Sequence, residues 1–195
     1  MSHAFADIAF TPAVRAAQVR DGSRSQYARA FESAGAVRNA ELGPDEEAFI
    51  HAQRSFYVAT VSETGWPYVQ HRGGSPGFLR VVDAHTLSFT DLPGNRQFVS
   101  VGNLANNDRV ALILVDYSHA QRLKLLGRLS VREFEEAGRP HREMTIRVEA
   151  FDWNCPQHIP LRFEAEDVQR ALDERDQRIE QLEALLAKGA VDRRV

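Results

Sequence analysis

Cysteine is almost missing from this sequence: Cys155 stands alone in 195 residues. A single thiol excludes an internal disulfide framework and makes a reducing cytoplasm the expected home. Long apolar runs are missing as well. The longest, Val110-Ala111-Leu112-Ile113-Leu114-Val115, falls far short of the ~20 residues a membrane-crossing helix needs and has the length of a buried strand. Residues 1–20 hold no unbroken apolar stretch of the kind a secretion signal carries. Charge of one sign does not dominate either. A net charge of -3, with basic residues scattered and no run of five, gives neither nucleic acid nor an anionic membrane as the expected partner.

Several catalytic signatures are absent. The chain has no G-x-G-x-x-G, no P-loop, no G-x-S-x-G and no H-E-x-x-H. Its histidines at 3, 51, 71, 85, 119, 141 and 158 form no i, i+4 pair and have no cysteine at zinc-ligand spacing. Neither a metal hydrolase nor a serine hydrolase is expected.

What is present divides into three stretches. Residues 1–42 are rich in Ala and Arg with scattered apolar positions, and are expected to form a partly helical N-terminal arm. Gly43-Pro44-Asp45-Glu46-Glu47 reads as a helix start running to about Arg54, since proline suits the first turn and acids face the positive end of the helix dipole. From Ser55 the pattern turns to strands. Phe56–Val61 is β-branched and aromatic, Glu63-Thr64-Gly65 is a turn, and Trp66–Gln70 completes a hairpin. Gly73–Gly77 interrupts the pairing, and Phe78–Val82 and Thr86–Thr90 resume it. After Pro93-Gly94 the period becomes helical, with Phe98, Val101, Leu104 and Ala105 on one face, closed by Asn106-Asn107-Asp108. Strands follow over 109–117, 122–132 and, after a charged loop, 145–151. Six or seven strands with one short helix between them predict a mainly β, antiparallel barrel with flanking helices, over residues 43–160. Residues 161–195 form an amphipathic helix and tail. Val168, Leu172, Ile179, Leu182 and Leu186 keep heptad spacing there with Arg175 in one seam position, an apolar stripe suited to subunit or domain packing rather than to a membrane.

Two places could carry chemistry. At the junction Phe89–Phe98, a glycine turn leads into a helix start with Asn95, Arg96 and Gln97 as donors. Local spacing fits either an ordinary cap with a solvated arginine or an anion site. The strand Tyr68–Gly74 carries Gln70, His71 and Arg72 and runs into paired glycines that let a flat ligand approach the backbone. It fits an edge strand equally well.

Taken together, Gly65-Trp66-Pro67-Tyr68, Leu87–Asp91, Asn95-Arg96-Gln97 and Asn107–Leu112, in that order and spacing, resemble the pyridoxamine 5′-phosphate oxidase-like family over roughly residues 46–155. Those proteins are FMN-binding split β-barrels, usually homodimers. The resemblance implies an FMN-dependent oxidoreductase acting on a small organic substrate at a dimer-interface site. It implies a flavin strand at Gln70, His71, Arg72, Gly73, Gly74 and Ser75. It places further cofactor contacts at Thr90 and Asp91, a phosphate pair at Asn95 and Arg96 with Gln97 beside them, and Arg122 reaching the flavin from a later strand, generally of the second subunit. The segment 152–159 is similar to a motif of a non-biosynthetic branch, which brings Gln157 and His158 near the ring edge.

Some positions depart from the family pattern. Gln70 stands where an arginine is usual, with Arg72 as the candidate to supply the charge, and Asn95 replaces the first basic residue. Ser75 replaces a substrate-binding lysine, and the Arg-x-His pair of the true oxidases is missing. The implied protein is therefore a flavoprotein other than the vitamin B6 oxidase. Alternatives are a flavin- or haem-binding module, with His71 or His158 as axial ligand, and a deazaflavin reductase. Cys155 is either a redox thiol or an inert side chain, and Trp66 and Trp153 either pack or flank the ring.

Overall fold

The computed structural model describes residues 3–32, 38–92, 95–136, 139–153 and 156–191. These hold helices α1 (Ala4–Ala9), α2 (Pro12–Asp21), α3 (Arg24–Phe31), α4 (Pro44–Ala52), α5 (Val99–Leu104) and α6 (Ala165–Val191). The strands are β1 (Ser55–Val61), β2 (Pro67–Gly73), β3 (Arg80–Asp83), β4 (Thr86–Thr90), β5 (Arg109–Asp116), β6 (Gln121–Glu136) and β7 (Arg139–Trp153). The chain divides into two compact units, Met1–Asp116 with Gln121–Gln157, and Tyr117–Ala120 with His158–Val195. Among the described residues no helix is long and apolar enough to cross a membrane.

The first unit is mainly β. Its seven strands form one antiparallel sheet in the order β2-β1-β5-β6-β7-β4-β3. Alternation fixes which face is inside: in β1, Phe56, Val58 and Thr60 are buried while Tyr57 is exposed. Leu112 and Leu114 of β5, Leu123 and Leu125 of β6, Ile146 of β7 and Phe89 of β4 join the same core. Among the described residues the edge strands β2 and β3 do not pair with each other, so the ring of hydrogen bonds is open.

Two expectations need correction. The charged loop placed between the last two strands is instead strand. Pairing of β6 with β7 continues through Arg132↔Glu143, Glu133↔Arg142 and Phe134↔His141 to Glu136↔Arg139. The charges that suggested a loop face each other across the ribbon. Arg132 Nη2 lies 2.6 Å from Glu143 and Arg142 Nη1 lies 3.7 Å from Glu133, the opposite-charge pairing that steadies an antiparallel pair. The helix expected from Asn95 begins only at Val99, and Phe98, assigned to its apolar face, precedes it. Arg96 and Phe98 have φ of 60° and 53°, a left-handed backbone that cannot continue a right-handed helix. Smaller shifts occur at ends: α4 stops at Ala52 rather than near Arg54, and β3 starts at Arg80.

Polar links fasten the helices. In α4, Glu46 accepts from the Gly43 N–H at 2.9 Å and, through its other oxygen, from Trp153 Nε1 at 2.6 Å. Trp153 also meets Phe49 edge-on at 4.7 Å. The N-terminal region forms three short helices, the second capped by Thr11 and closed by left-handed Gly22. His3 is buried beside the Phe31 ring, its Nε2 4.0 Å from Asp152. Burial pushes the His3 pKa down and the Asp152 pKa up from their ordinary values.

The second unit holds α6. Ahead of α6 in this unit, Arg162 N donates to the Tyr117 carbonyl at 3.4 Å and its guanidinium lies 4.8 Å over the Tyr117 ring.

Candidate functional site

The period of two along β2 sends Tyr68, Gln70 and Arg72 to one side of the sheet and Val69 and His71 to the other. The first three line a cavity of about 610 Å³, within the ~300–1,000 Å³ usual for small-molecule sites. The remaining walls are the end of β4 with Asp91, the turn 95–98, the start of α5, and His141 and Arg142 from the β6–β7 ribbon.

At the centre is Asp91. Its buried carboxylate accepts from Arg72 through Oδ1 and from Arg142 Nε through Oδ2 at 2.9 Å. Its N–H donates to the Arg142 carbonyl at 2.9 Å. One carboxylate thus joins β2, the end of β4 and β7, and closes with side chains a seam that backbone hydrogen bonds leave open. Arg142 also lies 4.7 Å over the Phe98 ring. Counting the cavity-lining residues, Arg72, Arg96 and Arg142 against Asp91 leave two positive charges in excess. Arg72 Nε is buried with no hydrogen-bond acceptor, a donor left over in a site rich in donors.

The turn before α5 is strained. Left-handed φ at two non-glycine residues, Arg96 and Phe98, costs about 1–3 kcal/mol each and persists only where the surrounding structure holds it. Left-handed residues alternating with ordinary ones are also the backbone pattern of anion-binding nests. Asn95 Oδ1 accepts from the Gln97 N–H at 3.3 Å and braces the turn. Helix α5 is held by two polar pairs at the core edge. Ser100 Oγ donates to Gln70 Oε1 at 2.7 Å, and Asn103 Nδ2 donates to Thr60 Oγ1 at 2.9 Å. With its oxygen so engaged, Gln70 presents its amide N–H groups.

The structure brings together Gln70, Arg72, Thr90, Asp91, Asn95, Arg96 and Gln97. His71 faces away, its ring 5.4 Å from Tyr57. The glycine pair has an internal reason: Gly74 donates to the Arg54 carbonyl at 2.9 Å, and a Cβ on it would stand 2.7 Å from Phe78 Cβ. Ser75 accepts from the Phe78 N–H at 2.9 Å in the following turn. Arg122 sits opposite Val115 in the β5–β6 pairing. Gln157 is exposed at the end of the first unit, and His158 belongs to the second. Pro93, Gly94 and Cys155 lie outside the described residues. Sequence reasoning missed Phe98, Ser100, His141 and Arg142. The last two were placed in a loop, and only the acids at 133, 135 and 136 answered by bases at 139 and 142 across the ribbon mark that stretch as strand. Among the described residues no group of three or more His, Cys, Asp or Glu could hold a metal ion.

The sequence profile described as pyridoxamine 5′-phosphate oxidase matches residues 42–161. The chain belongs to that family. No curated protein matches it significantly. Similar solved structures include HupZ of Group A Streptococcus (16% identity, 63% of this chain and 99% of that one, TM-score 0.47). A second is the Clostridium acetobutylicum protein related to general stress protein 26, of the pyridoxine-phosphate oxidase family (13% identity, 64% and 94%, TM-score 0.42). A third is HutZ, the heme storage protein of Vibrio cholerae (15% identity, 57% and 94%, TM-score 0.42).

Proposed function

We propose that the cavity binds FMN and that the protein is an FMN-dependent oxidoreductase of a non-biosynthetic branch of the family, acting on a small organic substrate. The observation that carries this is a cavity in which Arg72 and Arg142 bind the Asp91 carboxylate while Arg96 lines the wall from a left-handed, nest-like turn. A phosphate would neutralise the excess charge. Arg96 and the 95–98 turn would hold the phosphate, and Gln70 and Arg72 would donate to acceptors of the ring system. Phe98 and Tyr68 would supply apolar wall. Bound flavin would supply two-electron redox chemistry, while the protein's part is binding, orientation and exclusion of water.

The site is completed in this proposal by a second copy of the chain, with Arg122, Gln157 and His158 as further contacts and the barrel domain taken as residues 43–160. Support for self-association is the outward face of β1 and β2, where Tyr57 and Val69 are exposed. A haem ligated by His71 finds no such support, because that ring points away from the cavity. The proposed location is the cytoplasm.

The test is spectroscopic. Purified protein, or protein titrated with FMN, takes on the yellow absorbance of a bound flavin. Arg96→Ala weakens binding about 10- to 150-fold, the equivalent of ~1.5–3 kcal/mol for a hydrogen bond to a charged group. Protein that takes up no FMN would overturn the proposal, and unchanged affinity in Arg96→Ala would move the phosphate site elsewhere.

A further inference from the structure

Helix α6 runs for 27 residues, about 40 Å at ~1.5 Å per residue. Along it, Val168, Leu172, Arg175, Ile179, Leu182 and Leu186 recur at intervals of four and three, the seam of a two-stranded coiled coil with Leu172, Ile179 and Leu186 at a and the others at d. This seam is uncovered: Val168, Ile179 and Leu182 remain 45%, 44% and 43% exposed. The acids Glu166, Asp167, Asp173, Glu174 and Glu180 all fall at b and c positions, away from the seam.

We infer that α6 pairs in parallel and in register with the same helix of a second copy of this chain. Charge selects that partner and that direction. In a parallel pair a d side chain enters a hole that includes the e residue of the other helix, so Arg175 meets Asp176 of the second copy. The g residue Arg178 faces the e residue Glu183 across the seam. Each contact occurs twice. Inside one chain these arginines are poorly served, with Arg175 3.4 Å from Asp176 and Arg178 3.4 Å from Gln181. An antiparallel pair with Leu172 against Leu182 would set Asp176 against Asp176 and Arg178 against Arg178. Arg175 weakens an otherwise apolar seam and fixes its register, a role polar seam residues commonly have.

The test uses the full chain carrying Cys155→Ser, with either Ile179→Cys on the seam or Gln177→Cys on the outer face. Under mild oxidation at ~10 µM protein, the seam variant forms a disulfide dimer on the order of 100-fold faster, because pairing raises the local thiol concentration to ~1 mM. Added to the seam variant, Arg175→Glu slows cross-linking, and adding Asp176→Arg restores it. Equal rates for the two cysteine positions would overturn the inference. So would a seam variant that stays uncross-linked while the protein sediments as a dimer, which would leave the stripe to another surface.

Discussion

Replacing Asp91 by alanine tests whether one carboxylate holds the open seam. At 2.9 Å from Arg142 and an effective dielectric of ~20, one ion pair is worth about 6 kcal/mol before desolvation. Desolvation cancels much of that, yet removing one member of a buried pair still costs about 3–5 kcal/mol, because the partner charges stay behind. Asp91 is 8% exposed, but Arg72 and Arg142 are 14% and 24%, and solvent screening favours the low end, ~3 kcal/mol. With a urea dependence of ~2 kcal/mol per molar, the midpoint falls by about 1.5 M. Trp153 fluorescence reads the transition, since that ring is held by Glu46 and Phe49 in the same unit. The Asp91→Ala, Arg142→Ala double variant should be less destabilised than the two single losses added together. A midpoint shift below ~0.3 M would show that the seam closes without the carboxylate.

Two further perturbations probe the frame. His3 is buried with its pKa lowered by burial, so the unfolded chain binds the proton more readily. Stability should rise as pH climbs toward ~6.5, and His3→Gln should flatten that slope in thermal melts. Asp152, whose pKa burial raises, acts with the opposite sign in the lower carboxylate window, so a slope that persists between pH 5 and 6.5 in His3→Gln would count against His3 as its source. Where the β6–β7 register slips, with Glu149 the extra residue of β7, a Cβ on Gly127 would run into the Arg147 carbonyl oxygen. Gly127→Ala should cost ~1–3 kcal/mol by urea unfolding, in the range of overpacked cores, and an unchanged midpoint would mean that the ribbon shifts freely.

Much of the barrel could be read directly, because β1, β4 and β5 are short, β-branched and bounded by turns. The cavity was half legible. Gln70 and Arg72 stood out as polar residues in a strand, and Arg96 as a basic residue after Pro93-Gly94. Arg142 did not, because a long two-stranded ribbon with charges on both sides has the composition of a loop, and only its cross-strand pairing shows the strand. Helix α5 was placed too early because apolar spacing at Phe98 says nothing about the sign of φ. His71 was taken with its neighbours although the period of two turns it to the other face. The glycine pair suggested room for a ligand, while Gly74 makes room for Phe78.

The sequence distance between the two arginines on Asp91 also orders events during synthesis. Arg72 and Asp91 leave the ribosome together with the first hairpins, but Arg142 lies 51 residues beyond Asp91, and Trp153, which fastens Glu46, lies 107 residues beyond it. Until β7 emerges, a nascent chain holds a buried-to-be carboxylate with one of its cations missing and a helix with its anchor unmade. Such non-local closure is slow, so the last strand to be translated is the one that turns a set of hairpins into a closed-off cavity.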